Sequence, residues 1–146
     1  MNEPARPRRP RRPAPAPSSS RRPDVVVDFE CRDGVFFLSV RNVGGTAARA
    51  VRVDFAPGFT GFDGKKDVAG LPLFRDLTYL APDRRIETFL DTSRGWFRRE
   101  QPTRIKVRVR YRDARGRPYE DRFEHNLEVY RELGYVERGA TREGGS

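Results

Sequence analysis

The chain has 146 residues, of which 36% are hydrophobic and 35% charged, and its formal net charge is +9. This length allows one domain with its own core and a tail. Its one cysteine and one histidine, Cys31 and His125, exclude a disulfide framework and a Cys-rich zinc site, and they disfavour His-based metal or triad chemistry. We therefore expect a protein that is not an enzyme and that carries no metal and no cofactor.

Residues 1–23 form a basic, proline-rich tail. They hold seven arginines, seven prolines and one acid, Glu3, and they contain no aromatic residue. Proline lacks the amide donor of helices and sheets, so we expect this tail to be disordered and extended. Three roles stay open for it: a solubilising leader, an electrostatic anchor for an acidic partner, or a Pro7-x-x-Pro10 ligand for a proline-binding groove. No apolar run long enough for an export signal or a membrane span is present, so we expect a cytoplasmic protein.

Period-two alternation of apolar and polar residues predicts seven strands in the rest of the chain. These strands cover residues 24–31, 35–42, 49–55, 73–80, 85–91, 104–112 and 118–130. Turn signals such as Asp33-Gly34 separate them, and every proline beyond the tail falls between strands or at a strand start. No stretch of ten or more residues has a helical apolar period. The pattern predicts an all-β, seven-stranded, two-sheet sandwich over residues 24–130, with residues 131–146 as a flexible end.

The same alternation predicts which side chains face the core. The clearest inward positions are Val25, Val27, Phe29, Phe36, Leu38, Val40, Val51, Val53, Phe55, Leu90, Ile105, Val107, Val109, Tyr111, Phe123, His125, Leu127 and Val129. On this basis His125 is a packed imidazole and Cys31 a small hydrophobe at a strand end, rather than a catalytic pair. Asp63, Asp67 and Asp76 lack the regular spacing of a calcium loop.

A motif between the second and third predicted strands carries a resemblance. Asn42-Val-Gly44-Gly45-Thr46-Ala47-Ala48-Arg-Ala50-Val51-Arg-Val53 resembles the N-x-G-x-x-x-A-x-x-V-x-V pattern of bacterial immunoglobulin-like modules of the CARDB-like kind. Leu80-Ala-Pro82-Asp83 is similar to their L-x-P-G turn, with Asp83 in the glycine position. The resemblance implies an immunoglobulin-like sandwich that acts as a binding or spacer module, without chemistry of its own.

The sixth predicted strand presents a row of cations. Arg104, Lys106, Arg108, Arg110 and Arg112 alternate with apolar residues, so they project from one face at intervals of about 6.6–6.8 Å. This regular spacing suits the phosphates of a nucleic acid strand. The alternative is a solvated face on which Glu120, Glu124 and Glu128 of the next strand neutralise the row as cross-strand ion pairs.

Two loops are more aromatic than plain connections require. One contains Phe59 and Phe62, and the other contains Trp96, Phe97, Arg98 and Arg99. Aromatic and arginine side chains are favoured at the centres of protein interfaces, so these six residues are candidate partner contacts. The alternative is that the four rings cap the open ends of the sandwich. If both loops lie at one end, that end is the best candidate for a protein-binding site.

Two functions follow from these patterns. The first is a non-catalytic interaction module that binds another protein through the aromatic loops, with the basic tail attracting an acidic partner. The alternative is a nucleic-acid-associated accessory protein that binds phosphates through the tail and the face of residues 104–112.

Overall fold

The computed structural model describes residues 22–131, so most of the predicted tail and all but the first residue of the predicted C-terminal end lie outside the described residues. Seven strands follow one another along the chain: β1 (Val25–Arg32), β2 (Val35–Asn42), β3 (Ala48–Ala56), β4 (Leu77–Leu80), β5 (Arg85–Thr92), β6 (Arg104–Arg112) and β7 (Pro118–Asn126). A 3-10 turn (Phe62–Gly64) and two short helices, α1 (Pro72–Arg75) and α2 (Ser93–Arg98), lie in the connections.

The strands form two antiparallel sheets, which confirms the predicted all-β, two-sheet architecture. The three-stranded sheet has the order β1-β2-β5, and the four-stranded sheet has the order β4-β3-β6-β7. Both sheets contribute to one core: the ring of Phe29 in β1 lies 6.3 Å from that of Phe55 in β3. The burial alternates strictly along β6, where Ile105, Val107 and Val109 are buried and the cations between them are exposed.

Two predicted strands are too long. The segment 73–80 starts with helix α1, because Pro72 occupies the first helical position, where its fixed φ suits a helix, and strand β4 begins only at Leu77. The segment 118–130 leaves the sheet after Asn126, whose side-chain oxygen accepts a hydrogen bond from the Glu128 amide at 3.1 Å and so favours a turn. Val129, expected to face inward, is consequently 56% exposed.

The side chain of Asn42 holds three parts of the backbone together through four hydrogen bonds, and we call this set of bonds the Asn42 staple. The buried Asn42 side chain accepts hydrogen bonds from the amides of Asp24 (3.1 Å) and Gly44 (3.0 Å). Its amide group donates to the carbonyl oxygens of Thr46 (2.8 Å) and Leu80 (3.1 Å). One side chain therefore joins the start of β1, the β2–β3 loop and the end of β4. A side chain at Gly44 would collide with the backbone just before β1, which explains the glycine.

Side chains from β7 and from the segment just after it cover the free edge of β1. The His125 Nε2 atom lies 3.0 Å from the Val27 carbonyl oxygen, and the Tyr130 hydroxyl donates to the Phe29 carbonyl oxygen at 3.3 Å. The His125 ring also packs on Phe29, with 5.1 Å between ring centroids. These contacts satisfy backbone acceptors that an edge strand would otherwise offer to another strand, and they give His125 a structural role.

Candidate functional site

The outer surface of the four-stranded sheet is strongly basic, and we call this surface the basic face. Its charged side chains project from β3, β6 and β7 and from the adjacent helix α1. Nine are cationic and three acidic: Arg49, Arg52, Arg75, Arg104, Lys106, Arg108, Arg110, Arg112 and Arg122, against Asp54, Glu120 and Glu124. The face thus contains the whole predicted cation row of β6.

The strand register explains why the basic face extends beyond β6. Arg110 pairs with Arg52 of β3 on one side and with Glu120 of β7 on the other. Arg112 pairs with Arg49 of β3. The sequence does not show that the cations of β3 lie beside this row, because β3 and β6 are distant in the chain and no local pattern predicts their pairing.

The expected neutralisation by β7 is incomplete. Glu124 lies 4.0 Å from Arg104, and Glu120 pairs with Arg122 of its own strand at 3.1 Å. Glu128, expected to join them, lies beyond the end of β7 and pairs with Arg131 at 2.7 Å. Four cations of the face make no ion pair with any residue in the range 22–131: Arg49, Arg52, Lys106 and Arg112. The surface therefore keeps a large excess of positive charge.

One carboxylate on the basic face holds three arginines. The oxygens of Asp54 lie 3.0 Å from Arg75, 3.1 Å from Arg110 and 3.3 Å from Arg108. Partial burial opposes ionisation of Asp54, but the hydrogen bonds and charges of the arginines outweigh it and lower its pKa. Asp54 is therefore an anion at neutral pH, yet it balances only one of the three charges around it.

The two aromatic loops do lie at one end of the sandwich, but two of their rings belong to the core. The rings of Phe59 and Trp96 are 5.5 Å apart, and Trp96 is fully buried. The Trp96 indole N–H donates to the Pro102 carbonyl oxygen at 3.1 Å. Phe97 is half-buried and packs on Phe36, with 5.8 Å between centroids. Trp96 and Phe59 thus cap the core. Because both rings are buried, a partner protein cannot contact them on this surface.

The remaining residues of the predicted protein-binding site differ in their surroundings: one is tied to the core, and two are exposed. Arg99 forms an ion pair with the buried carboxylate of Asp91 and so fixes helix α2 to β5. Arg98 is exposed. Phe62 is 51% exposed, and its ring lies 5.7 Å from that of Phe89, which in turn lies 6.4 Å from that of Phe37. These three rings, which we call the aromatic patch, lie at the outer surface of the three-stranded sheet.

The part of the chain that the structure describes contains neither a cluster of metal-ligating side chains nor a helix that could span a membrane. In the range 22–131, no group of three or more His, Cys, Asp or Glu side chains is placed to hold a metal ion. Neither α1 nor α2 has the length and apolar character of a membrane-spanning helix.

The fold and the site define a two-sheet antiparallel β-sandwich with a basic outer face. A family model described as a domain of unknown function, DUF8453, matches residues 14–131. The chain therefore belongs to the DUF8453 family. No curated protein and no solved structure matches it.

Proposed function

We propose that this protein is a non-catalytic, immunoglobulin-like module that binds the phosphate backbone of double-stranded nucleic acid through its basic face. The observation that carries the proposal is the charge of this face, with nine cations and three carboxylates on one sheet surface. Residues 1–23 add seven arginines to the same molecule and strengthen the attraction.

The strand order supports the immunoglobulin-like assignment. Strands β1, β2 and β5 form one sheet and take the places of strands A, B and E in that fold. Strands β3, β6 and β7 take the places of C, F and G, and β4 lies beside β3 as strand C′ does in variable-type domains. The Asn42 staple gives the motif that resembles such modules a structural purpose.

The composition of the basic face favours a duplex backbone over single-stranded bases. Binding of single strands commonly uses exposed rings on which bases stack. Among the described residues, the ring most exposed beside this face is Tyr79, which is 51% exposed and has the Arg49 guanidinium 5.3 Å from its centroid. One such ring is not a row on which successive bases could stack. Guanidinium and ammonium groups in regular rows instead match a regular series of phosphates. Binding of this kind is independent of sequence and sensitive to salt.

A pair of triple variants tests the proposal on the full chain. The first, Arg52→Gln with Lys106→Gln and Arg112→Gln, removes three of the four cations of the basic face that have no ion pair within the described part of the chain. The fourth, Arg49, is kept because its guanidinium lies over the Tyr79 ring. The control, Arg84→Gln with Arg94→Gln and Lys65→Gln, removes two arginines and one lysine outside the four-stranded sheet. Both variants lose the same charge, so only the position differs.

Fluorescence anisotropy with a labelled 20-base-pair DNA duplex measures the affinity of each variant. We expect the basic-face variant to bind the duplex less tightly than the wild type does. Its slope of log K against log salt concentration should become shallower by about 2.7, because each of the three lost phosphate contacts removes about 0.9. The control should retain most of the affinity. Equal losses in both variants, or preferential binding to polyglutamate at the same charge concentration, would contradict the proposal. The same measurement with an RNA duplex of the same sequence shows whether the protein prefers the DNA or the RNA duplex.

A second candidate function has its own observation. Phe62 and Phe89 are exposed neighbours in the aromatic patch, and contiguous exposed rings are typical of protein-binding surfaces. On this account, a partner protein is retained from lysate at high salt and is lost from the variant Phe62→Ala with Phe89→Ala. A partner that dissociates in high salt and persists in this variant supports the basic face instead.

A further inference from the structure

A depression on the basic face brings three cations next to the Asp54 cluster. Its lining includes Lys106, Arg108 and Arg122 together with the carboxylates of Asp54 and Glu124. The depression spans β3, β6 and β7, because Arg108 pairs with Asp54 on one side and with Arg122 on the other. It is therefore a place on this face where an anion can contact cations from two strands at once.

Arg108 is held less closely than the other two arginines of the Asp54 cluster. Its nitrogen lies 3.3 Å from Asp54, while those of Arg75 and Arg110 lie at 3.0 and 3.1 Å. If Arg108 turned toward an anion in the depression, Asp54 would keep two arginine partners. All four side chains are partly exposed, so water also compensates the change.

We propose that this depression is the phosphodiester subsite of the basic face, contacted by Lys106, Arg108 and Arg122, and that Asp54 is a built-in competitor that limits its affinity. The inference rests on the proposed nucleic-acid binding. It adds a specific location for one phosphate and a residue whose removal strengthens binding. Asp54 competes because its carboxylate engages the guanidinium of Arg108, which the phosphate also needs.

The substitution Asp54→Asn tests the competition on the full chain, with Glu30→Gln as the matched control. Glu30 is 30% exposed against 33% for Asp54, and it pairs with two arginines, Arg32 and Arg85, where Asp54 pairs with three. It lies on the opposite sheet. Each substitution raises the net charge by one. The assay is anisotropy with the DNA duplex between 50 and 200 mM salt.

We expect Asp54→Asn to bind the duplex more tightly than the wild type and to steepen the salt slope by about 0.9, the value of one added phosphate contact. Its advantage over the wild type should then shrink by about 3.5-fold between 50 and 200 mM salt, which is this slope applied to a fourfold change. Glu30→Gln should leave the slope unchanged. Equal effects of both substitutions, or weaker binding by Asp54→Asn, would overturn the subsite.

Arg122→Gln gives an independent test, because a side chain that is 74% exposed can be replaced without disturbing the fold. Arg122→Gln should make the slope of log K against log salt concentration shallower by about 0.9, while Arg84→Gln should leave this slope unchanged. If Arg122→Gln behaves like Arg84→Gln, the subsite is wrong even if Asp54→Asn does not fold. Failure of the wild type to bind the duplex would refute the proposed function itself, whereas normal wild-type binding with these null results refutes only the subsite.

Discussion

The substitution Trp96→Ala separates a core role from a partner-binding role for the aromatic loops. Trp96 is fully buried, and its ring lies 6.0 Å from Phe36 and 5.5 Å from Phe59. A tryptophan buries about 150–250 Å², which at about 25 cal/mol per Å² corresponds to about 4–6 kcal/mol. Alanine keeps part of this burial, and the carbonyl of Pro102 loses its donor. We expect the free energy of unfolding to fall by about 3–5 kcal/mol.

Urea unfolding followed by far-UV circular dichroism measures this loss, with Phe62→Ala as the control from the neighbouring loop. Because the Phe62 side chain is half exposed, its truncation should cost less than about 1 kcal/mol. Trp96→Phe keeps a ring in the core but not the N–H donor, so it should fall between the two. A Trp96→Ala protein within about 1 kcal/mol of the wild type would show that this ring does not cap the core and would refute the reasoning.

Four further predictions concern buried polar groups. Asn42→Ala should lower the free energy of unfolding by more than about 2 kcal/mol, since four backbone groups lose their partner. Thr46→Val should be neutral or stabilising in the same urea experiment, since its buried hydroxyl has no hydrogen-bond partner within residues 22–131. Arg99→Ala should cost about 3–5 kcal/mol because it leaves a buried carboxylate unpaired, while Arg98→Ala should change little; equal losses would contradict this assignment. Burial and a 2.6 Å hydrogen bond to a carboxylate raise the pKa of Tyr111 above its ordinary value of 10.0. Stability should therefore hold below pH 10 and fall as the pH rises further, by up to about 1.4 kcal/mol per unit, and Tyr111→Phe should reduce this alkaline loss.

Local patterns predict that seven strands exist, but not where each of them begins and ends. Strict alternation along residues 104–112 reflects a strand with one face in the core, and the structure has this strand with the same bounds. The sequence does not reveal helices α1 and α2, because four and six residues are too few to show a helical period. The segment expected as the second aromatic loop is in fact mostly helix α2. The end of β7 was missed because a side-chain hydrogen bond of Asn126, and not the apolar pattern, turns the chain away from the sheet.

The candidate site depended more on contacts between distant parts of the chain. The cation row of β6 is visible in the sequence because its members are two residues apart. Arg52 and Arg49 join that row only through the pairing of β3 with β6, which no local pattern predicts. Composition alone also cannot tell whether an aromatic loop faces a partner or the core, since the burial of Trp96 depends on contacts with β2 and with the Phe59 loop.

The location of the bound nucleic acid tests the central claim most directly. A titration of the full, isotope-labelled chain with the DNA duplex, followed by amide chemical shifts in two-dimensional NMR, reports which strands are affected. We predict that the largest salt-dependent shifts fall on β3, β6 and β7, around Arg52, Arg108 and Arg122. Shifts confined to residues 1–21, or centred on the aromatic patch of the three-stranded sheet, would contradict the claim that the basic face is the binding surface.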